Sequence, residues 1–195
     1  PNICLNENNV KNKKFLKLIQ KTALNKKLVI VAPSANWIGK TWPIQNFCSL
    51  LKKLCKNTNF ENSYFIIVGP RNEKKSIDNL LKLKSLPIFD LVGKTDLAEI
   101  FLIMKKSKLF IGNDSGLMHL SALAGIPTVG LFGPSDSKRY HPWGKKTLAI
   151  KSPKSPNELM GHKEFNPKKV NSLMKDLTVN YVFKELIKFY KTFYD

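Results

Sequence analysis

Arginine is almost missing from this 195-residue chain: Arg71 and Arg139 are the two present among 33 basic residues, and lysine supplies the rest. A domain that reads bases relies on the bidentate guanidinium fork. The scarcity therefore argues against a nucleic-acid reader, as does the spread of lysines along the whole chain rather than in one stripe interleaved with aromatics. Acidic residues are also few. With 14 of them the formal net charge is +19, which favours an anionic partner such as nucleic acid, anionic lipid or a phosphorylated substrate. The asparagines that accompany the lysines give the plainer account: a biased genome takes the larger share of the excess. Attraction to an anionic acceptor or membrane surface comes second.

Cysteine is limited to Cys4, Cys48 and Cys55. An odd count without metal-ligand spacing points to free thiols in a reducing compartment rather than a disulfide framework. Apolar runs stay short of the roughly 18 residues needed to span a bilayer, and the first seven residues have no signal-peptide layout. A soluble cytoplasmic protein is expected. There is no internal repeat. The chain opens on Pro1 rather than Met, so further sequence upstream is expected, and its length suits one domain with a full core.

What the chain does have is alternation. Val10, Phe15, Leu16, Ile19 and Leu24 keep helical spacing over 9–24. A buried strand at 28–32 runs into a long loop, and Pro43 then opens a helix with Phe47, Leu50, Leu51 and Leu54 on its apolar face; Cys48 and Cys55 share that helix. Strands at 64–68 and 87–91 flank a charged helix predicted over 72–83. The turn 92–95 leads to a helix capped by Thr95 or Asp96, with Leu97, Ile100, Phe101 and Met104 inward. Strands at 109–111 and 128–132 enclose an apolar helix at 117–124. Crossovers this short require parallel, right-handed connections, so the fold class is α/β with one doubly wound parallel sheet.

Beyond residue 132 the pattern weakens. The loop 133–144 is too rich in Pro, Gly and polar aromatics for regular structure. A weak strand at 147–150 follows, and 152–169, with Pro153, Pro156 and Pro167, reads as an extended crossing. A helix at 174–178 is predicted to end at a new cap, Thr178, before an aromatic-rich helix at 179–194. There Tyr181, Phe183, Phe189, Tyr190 and Phe193 spread around more than one face, which calls for a second covering surface.

The turn Asn113-Asp114-Ser115-Gly116 carries the clearest chemistry. It follows a buried strand and opens a helix, so it lies on the carboxyl edge of the sheet, where open α/β folds bind ligands. Asp114 or Ser115 can cap the helix, Gly116 permits close backbone approach, and the N–H groups of Gly116, Leu117 and Met118 form an anion cradle without a Walker loop. His119 stands in the first turn, as a partner of that anion or as a satisfied core group in equal measure. Three post-strand loops, 34–41, 69–73 with 92–95, and 113–119, converge on this edge, and 133–144 lies just beyond. Lys40 supplies a mobile cation and Asp114 an acceptor for sugar hydroxyls, a set suited to a nucleotide diphosphate joined to a sugar. Singly each has a plain explanation: Lys40 a solvated lysine, Glu73 a helix-terminal charge, Trp42 and Trp143 core filler.

Five phrases in order resemble the lipopolysaccharide heptosyltransferases, the family 9 glycosyltransferases: Pro33-Ser-Ala with Lys40-Thr-Trp-Pro43, Leu91-Val-Gly-Lys-Thr95, Asn113-Asp-Ser-Gly-Leu-Met-His119, Ile126-Pro-Thr-Val-Gly-Leu-Phe-Gly-Pro-Ser135 and Tyr140-His-Pro-Trp-Gly144. The resemblance covers 1–195 as the C-terminal, Rossmann-like donor lobe of a GT-B fold, with 178–195 expected to reach toward an absent N-terminal acceptor lobe. It implies transfer of heptose from ADP-heptose to the inner core with inversion and loss of ADP, using neither metal nor other cofactor, in a Gram-negative bacterium. Consistent with that, no Asp-x-Asp stands in a suitable turn and no His or Cys cluster occurs.

By position the resemblance puts Ser34 and Asn36 near the phosphates, Glu73 near the ribose and Thr95 near the adenine. Asp114 would hold sugar hydroxyls, with Ser115, Gly116, Leu117 and His119 around the diphosphate, and Lys40 and the helix end would stabilise the leaving group. The general base belongs to the other lobe, so no catalytic residue is expected in this chain and it should bind donor without turnover. The acceptor, lipid A-core, comes through that lobe, with peripheral contact to the anionic inner membrane and no nucleic acid. Residues 35–39 and a cysteine-free 152–169 depart from the family pattern and bear on the sugar more than on the diphosphate. Rival readings are a sugar-nucleotide epimerase of the same fold, a catalytically degenerate binding module and a basic nucleic-acid-binding domain.

Overall fold

A computed structural model describes residues 25–194 together with Ile19, Lys21 and Thr22. Most of the helix expected over 9–24 lies outside the described residues. Six strands form one sheet: β1 (Lys27–Ala32), β2 (Ser63–Ile67), β3 (Ile88–Asp90), β4 (Leu109–Asn113), β5 (Thr128–Phe132) and β6 (Thr147–Lys151). Every pairing is parallel and the spatial order is β3-β2-β1-β4-β5-β6. This is the doubly wound α/β arrangement that the alternation predicted, and its order reverses between β1 and β4.

Because successive side chains of a strand point to opposite faces, the short β-branched runs feed two cores. Val29, Val31, Phe65, Ile67 and Ile111 face α1 (Ile44–Cys55), α2 (Asp78–Leu81) and α7 (Val179–Tyr194). Leu28, Ile30, Ile66 and Phe110 face α3 (Leu97–Lys105) and α4 (Gly116–Leu123). In α1 the buried residues are Phe47, Leu50, Leu51 and Leu54, the predicted face. Two glycines permit close approach: a Cβ on Gly112 would sit 2.7 Å from the carbonyl oxygen of Ala32, its partner on the neighbouring strand β1, and one on Gly130 would meet Met118 of α4. The second contact seats α4 low on the sheet, which places its N-terminus beside the ends of β1 and β4.

Several expectations are corrected. The charged helix at 72–83 is instead a 3-10 segment, Arg71–Ile77, continuing into one turn of α2. Ser76 explains part of this: its hydroxyl donates to the Glu73 carbonyl at 2.7 Å, the acceptor that an α-turn would give to Ile77. Leu97 does not face inward; it is 66 % exposed at the first position of α3, after the capping box of Asp96 and Glu99. The loop 133–144 contains one helical turn, α5 (Ser137–Tyr140), capped by Asp136. Residues 152–169 likewise hold α6 (Pro156–Met160), started by a Ser155–Glu158 capping box.

Residues 174–178 form turns rather than a helix, and the Leu177 carbonyl accepts from Trp42 Nε1 at 2.8 Å. The final helix has the predicted bounds but is amphipathic: Val182, Leu186 and Tyr190, four residues apart, form one buried stripe against α1 and β6. Tyr190 stacks at 4.6 Å on Phe60, and Lys53 lies 5.6 Å from the Phe183 ring. Among the described residues no helix is long and apolar enough to cross a membrane.

Candidate functional site

The strand order reverses between β1 and β4, and there the loops leaving those strands must diverge, one to each face, which opens a crevice at the carboxyl edge. Asn113, the last residue of β4, is fully buried and holds the crevice walls: its Nδ2 donates to the Pro33 carbonyl at 2.8 Å and its Oδ1 accepts from the Trp42 N–H at 3.0 Å. Sequence reasoning passed over it as part of a polar turn. A polar residue closing an otherwise apolar buried strand was the available signal.

Beside it the Lys40 ammonium donates to Asp114 Oδ2 at 2.7 Å, with the Asp114 side chain 7 % exposed. Lys40 is thus a fixed cation rather than a mobile one, and Asp114 keeps one oxygen for another partner. Lys40 also lies 5.7 Å from the ring of Tyr140, in the loop after β5.

Next to this pair a cleft of about 460 Å³ is lined by Ser34 and Asn36 from the β1 loop, Glu73 from the 3-10 segment, and Ser115, Gly116, Leu117 and His119 from the start of α4. Seven of the ten expected site residues therefore meet in one cleft. Lys40 and Asp114 flank it and Thr95 stands outside its lining. His119 is exposed there, which removes its reading as a core group.

Ser115 has the extended backbone of an N-cap, yet its hydroxyl makes no capping bond, and its Oγ is buried without a partner. Glu73 Oε2 and Thr95 Oγ1 are likewise buried and unpartnered. Buried polar atoms seldom stay unsatisfied, and here three such atoms fall on residues expected to bind a ligand. The first N–H groups of α4 have no intrahelical acceptor, and a Cβ on Gly116 would meet nothing within 4 Å. The helix end is open to the cleft.

The rest of the lining is apolar. Leu120 and Leu123 continue along α4, and Leu97 and Pro70 join them, Leu97 as the exposed leucine that the sequence had assigned to the core. Asp90 steadies this side, its carboxylate accepting from Lys74 and Lys94 at 2.8 Å each and from the Val92 N–H at 3.0 Å. Burial alone would raise the Asp90 carboxyl, but these bonds outweigh it and hold it below the ordinary carboxylate value. The Gly93 N–H donates to the Gly69 carbonyl at 2.9 Å, which ties together the segments that lead to Glu73 and Thr95.

Cys48 and Cys55 are free thiols on α1, both raised by burial and so poor nucleophiles at neutral pH. Among the described residues no three His, Cys, Asp or Glu side chains are grouped as metal ligands would be.

Comparison with known proteins agrees with this geometry. Lipopolysaccharide heptosyltransferase 3 of Escherichia coli K12 is 27 % identical over 124 residues, 62 % of this chain and 35 % of that protein. The structure of E. coli ADP-heptose lps heptosyltransferase II superposes with a TM-score of 0.73 at 22 % identity, over 98 % of this chain and 54 % of that one. E. coli heptosyltransferase WaaC with ADP gives a TM-score of 0.67 at 18 % identity, over 85 % and 45 %. The chain thus spans about half the length of these solved relatives, and less of the curated one. The model of glycosyltransferase family 9 (heptosyltransferase) matches residues 3–169, and the chain belongs to that family.

Proposed function

We propose that this chain is the donor-binding lobe of a two-lobed, inverting, metal-independent transferase that moves heptose from ADP-heptose to the lipopolysaccharide inner core. The observation that carries the reading is the cleft at the switch point, lined by the open end of α4 and by two residues, Ser115 and Glu73, whose buried polar atoms have no partner; Thr95, with a third such atom, stands outside the lining. The diphosphate fits the N–H groups of Gly116 and Leu117, where the helix dipole favours negative charge. Ser34, Asn36 and His119 close around it. Glu73 takes a ribose hydroxyl, and the base lies against Leu97 and Leu123 with Thr95 at its edge. Asp114 offers its free oxygen to the sugar.

As the acceptor hydroxyl attacks the anomeric carbon, the sugar–phosphate bond breaks and charge grows on the departing ADP. Fixed N–H dipoles and the pinned Lys40 ammonium stabilise that charge without reorganising. The base that takes the acceptor proton lies on the other lobe. The α7 helix, with Tyr181 exposed on its outer side, reaches toward that lobe, and the lysine excess holds the protein at the anionic inner face of the membrane.

Calorimetric titration with ADP, UDP and GDP tests the donor assignment. ADP is expected to bind best, and tight UDP binding without ADP heat would contradict it. Vesicle binding that ignores salt concentration would remove the membrane contact.

A further inference from the structure

A second cleft, about 710 Å³, opens on the same carboxyl edge over the ends of β5 and β6 and shares no lining residue with the donor cleft. Two of its walls are the serines that follow these strands. Ser135 and Ser152 are each 8 % exposed, both line the cleft, and both hydroxyl oxygens are buried without a partner. The β5–β6 ladder, which pairs Phe132 with Lys151 and continues with the Ser152 N–H on the Phe132 carbonyl at 2.7 Å, keeps their chain segments side by side.

The charges are unevenly matched. Asp136 Oδ1 accepts from the Lys138 N–H at 2.8 Å, Glu158 Oε2 accepts from the N–H and hydroxyl of Ser155 at 2.8 and 2.6 Å, and Asp176 pairs with Lys154 at 2.7 Å. The ammonium groups of Lys138 and Lys151 have no carboxylate partner among the described residues. What is left to offer a ligand is two hydroxyls, two cations, the second carboxylate oxygens of Asp136 and Asp176, and the half-exposed ring of Tyr181 at the start of α7.

We propose that this cleft binds an anionic sugar, a monosaccharide unit carrying a phosphate or carboxylate group. Lys138 and Lys151 neutralise the anion, Ser135 and Ser152 bond ring hydroxyls, and Tyr181 covers the apolar face of the ring. The spare oxygens of Asp136 and Asp176 accept further sugar hydroxyls. The site stands without the donor assignment. Only the identification of its ligand as an acidic unit of the acceptor saccharide rests on the proposed transfer reaction.

The test is an NMR titration of the ¹⁵N-labelled protein with glucose 6-phosphate, glucuronate, glucose and inorganic phosphate, with ADP as a separate arm. Glucose 6-phosphate or glucuronate is expected to shift amides in 133–138 and 151–156 saturably, about tenfold more tightly than glucose or phosphate alone. Ser152→Ala should weaken the charged sugar about tenfold while leaving the melting temperature unchanged or higher, because the free protein has no bond there to lose. Lys138→Glu with Lys151→Glu, both on the surface and harmless to folding, should abolish charged-sugar binding and leave ADP binding intact. Equal binding of glucose removes the anion requirement, equal binding of phosphate removes the sugar, and indifference to both variants removes the site; each overturns the proposal. Failure of ADP alone to bind overturns the donor assignment and leaves this one standing.

Discussion

The clefts at β1/β4 and β5/β6 use the same edge of one sheet but leave different charges unpaired. At the first, the cation Lys40 is held by Asp114 and the free donors are backbone N–H groups of an eight-residue helix. At the second, the carboxylates already hold N–H, hydroxyl and ammonium partners, the helices α5 and α6 beside it are single turns, and the free donors are the ammonium groups of Lys138 and Lys151. Fixed dipoles without conformational freedom suit a leaving group whose charge changes during reaction. Mobile lysines suit a ligand whose charge is constant.

The sharpest way to separate the two clefts is Asn113→Ala. It strands the Pro33 carbonyl and the Trp42 N–H in a dry site, so unfolding free energy should fall by about 2–4 kcal/mol. Donor binding should weaken further because the β1 loop loses its tether, whereas glucose 6-phosphate binding should persist in the folded fraction. Joint loss of both ligands in that fraction would show that the clefts are one unit. Lys40→Met comes next. It leaves the Asp114 carboxylate, almost fully buried, without its cation, for a loss of about 1–3 kcal/mol. A double-mutant cycle with Asp114→Asn should recover most of that as coupling, read by urea denaturation.

Gly116→Ala is milder and more specific. The added methyl meets no protein atom and occupies the open space in front of the helix end. Stability should hold or rise slightly, since alanine is the better helix former, while ADP affinity drops at least about tenfold, or about 1.4 kcal/mol. Unchanged ADP heat would mean that no ligand approaches the backbone there.

The sheet, its parallel crossovers and the α4 turn were legible because they rest on local signals: short β-branched runs, fixed crossover handedness and a polar turn before an apolar helix. The strand at 128–132 and the helix at 179–194 keep their predicted bounds. What was missed depends on long-range hydrogen bonds. The turns at 174–178 answer to Trp42, more than a hundred residues earlier, and Asn113 ties down both ends of the loop after β1, at Pro33 and Trp42, from a strand far along the chain. Leu97 misled because helical spacing does not reveal that an apolar residue one place after a cap faces a cleft rather than the core. The Ser155–Glu158 capping box before α6, by contrast, was readable and was hidden only by the surrounding prolines.

The smallest effect is a pH signature that distinguishes the clefts at their edges. Asp90 has a folded-state value below the unfolded ~3.9. Its contribution is therefore complete above the unfolded value and is lost as pH falls through the folded one. The Lys74 and Lys94 tethers loosen in that window, and the segments bearing Glu73 and Thr95 loosen with them. Glu158 at the second cleft, lowered by the Ser155 hydroxyl and then its N–H, behaves in the same direction. Lys154 differs: the hydrogen bond and charge of Asp176 raise it above the unfolded ~10.4. Its contribution is complete below that value and is lost as pH rises through the folded one. Because the Lys154 side chain is more than half exposed the alkaline effect is small, but the donor side has no counterpart among the shifted groups around it. Amide exchange followed from pH 3 to 11, after correction for the intrinsic rate, should show protection lost at 91–96 only on the acid side. Protection at 152–158 should fall at both ends. Asp90→Asn should flatten the acid response of 91–96 and leave 152–158 untouched, and an alkaline loss at 91–96 would show that the two segments share one titrating network.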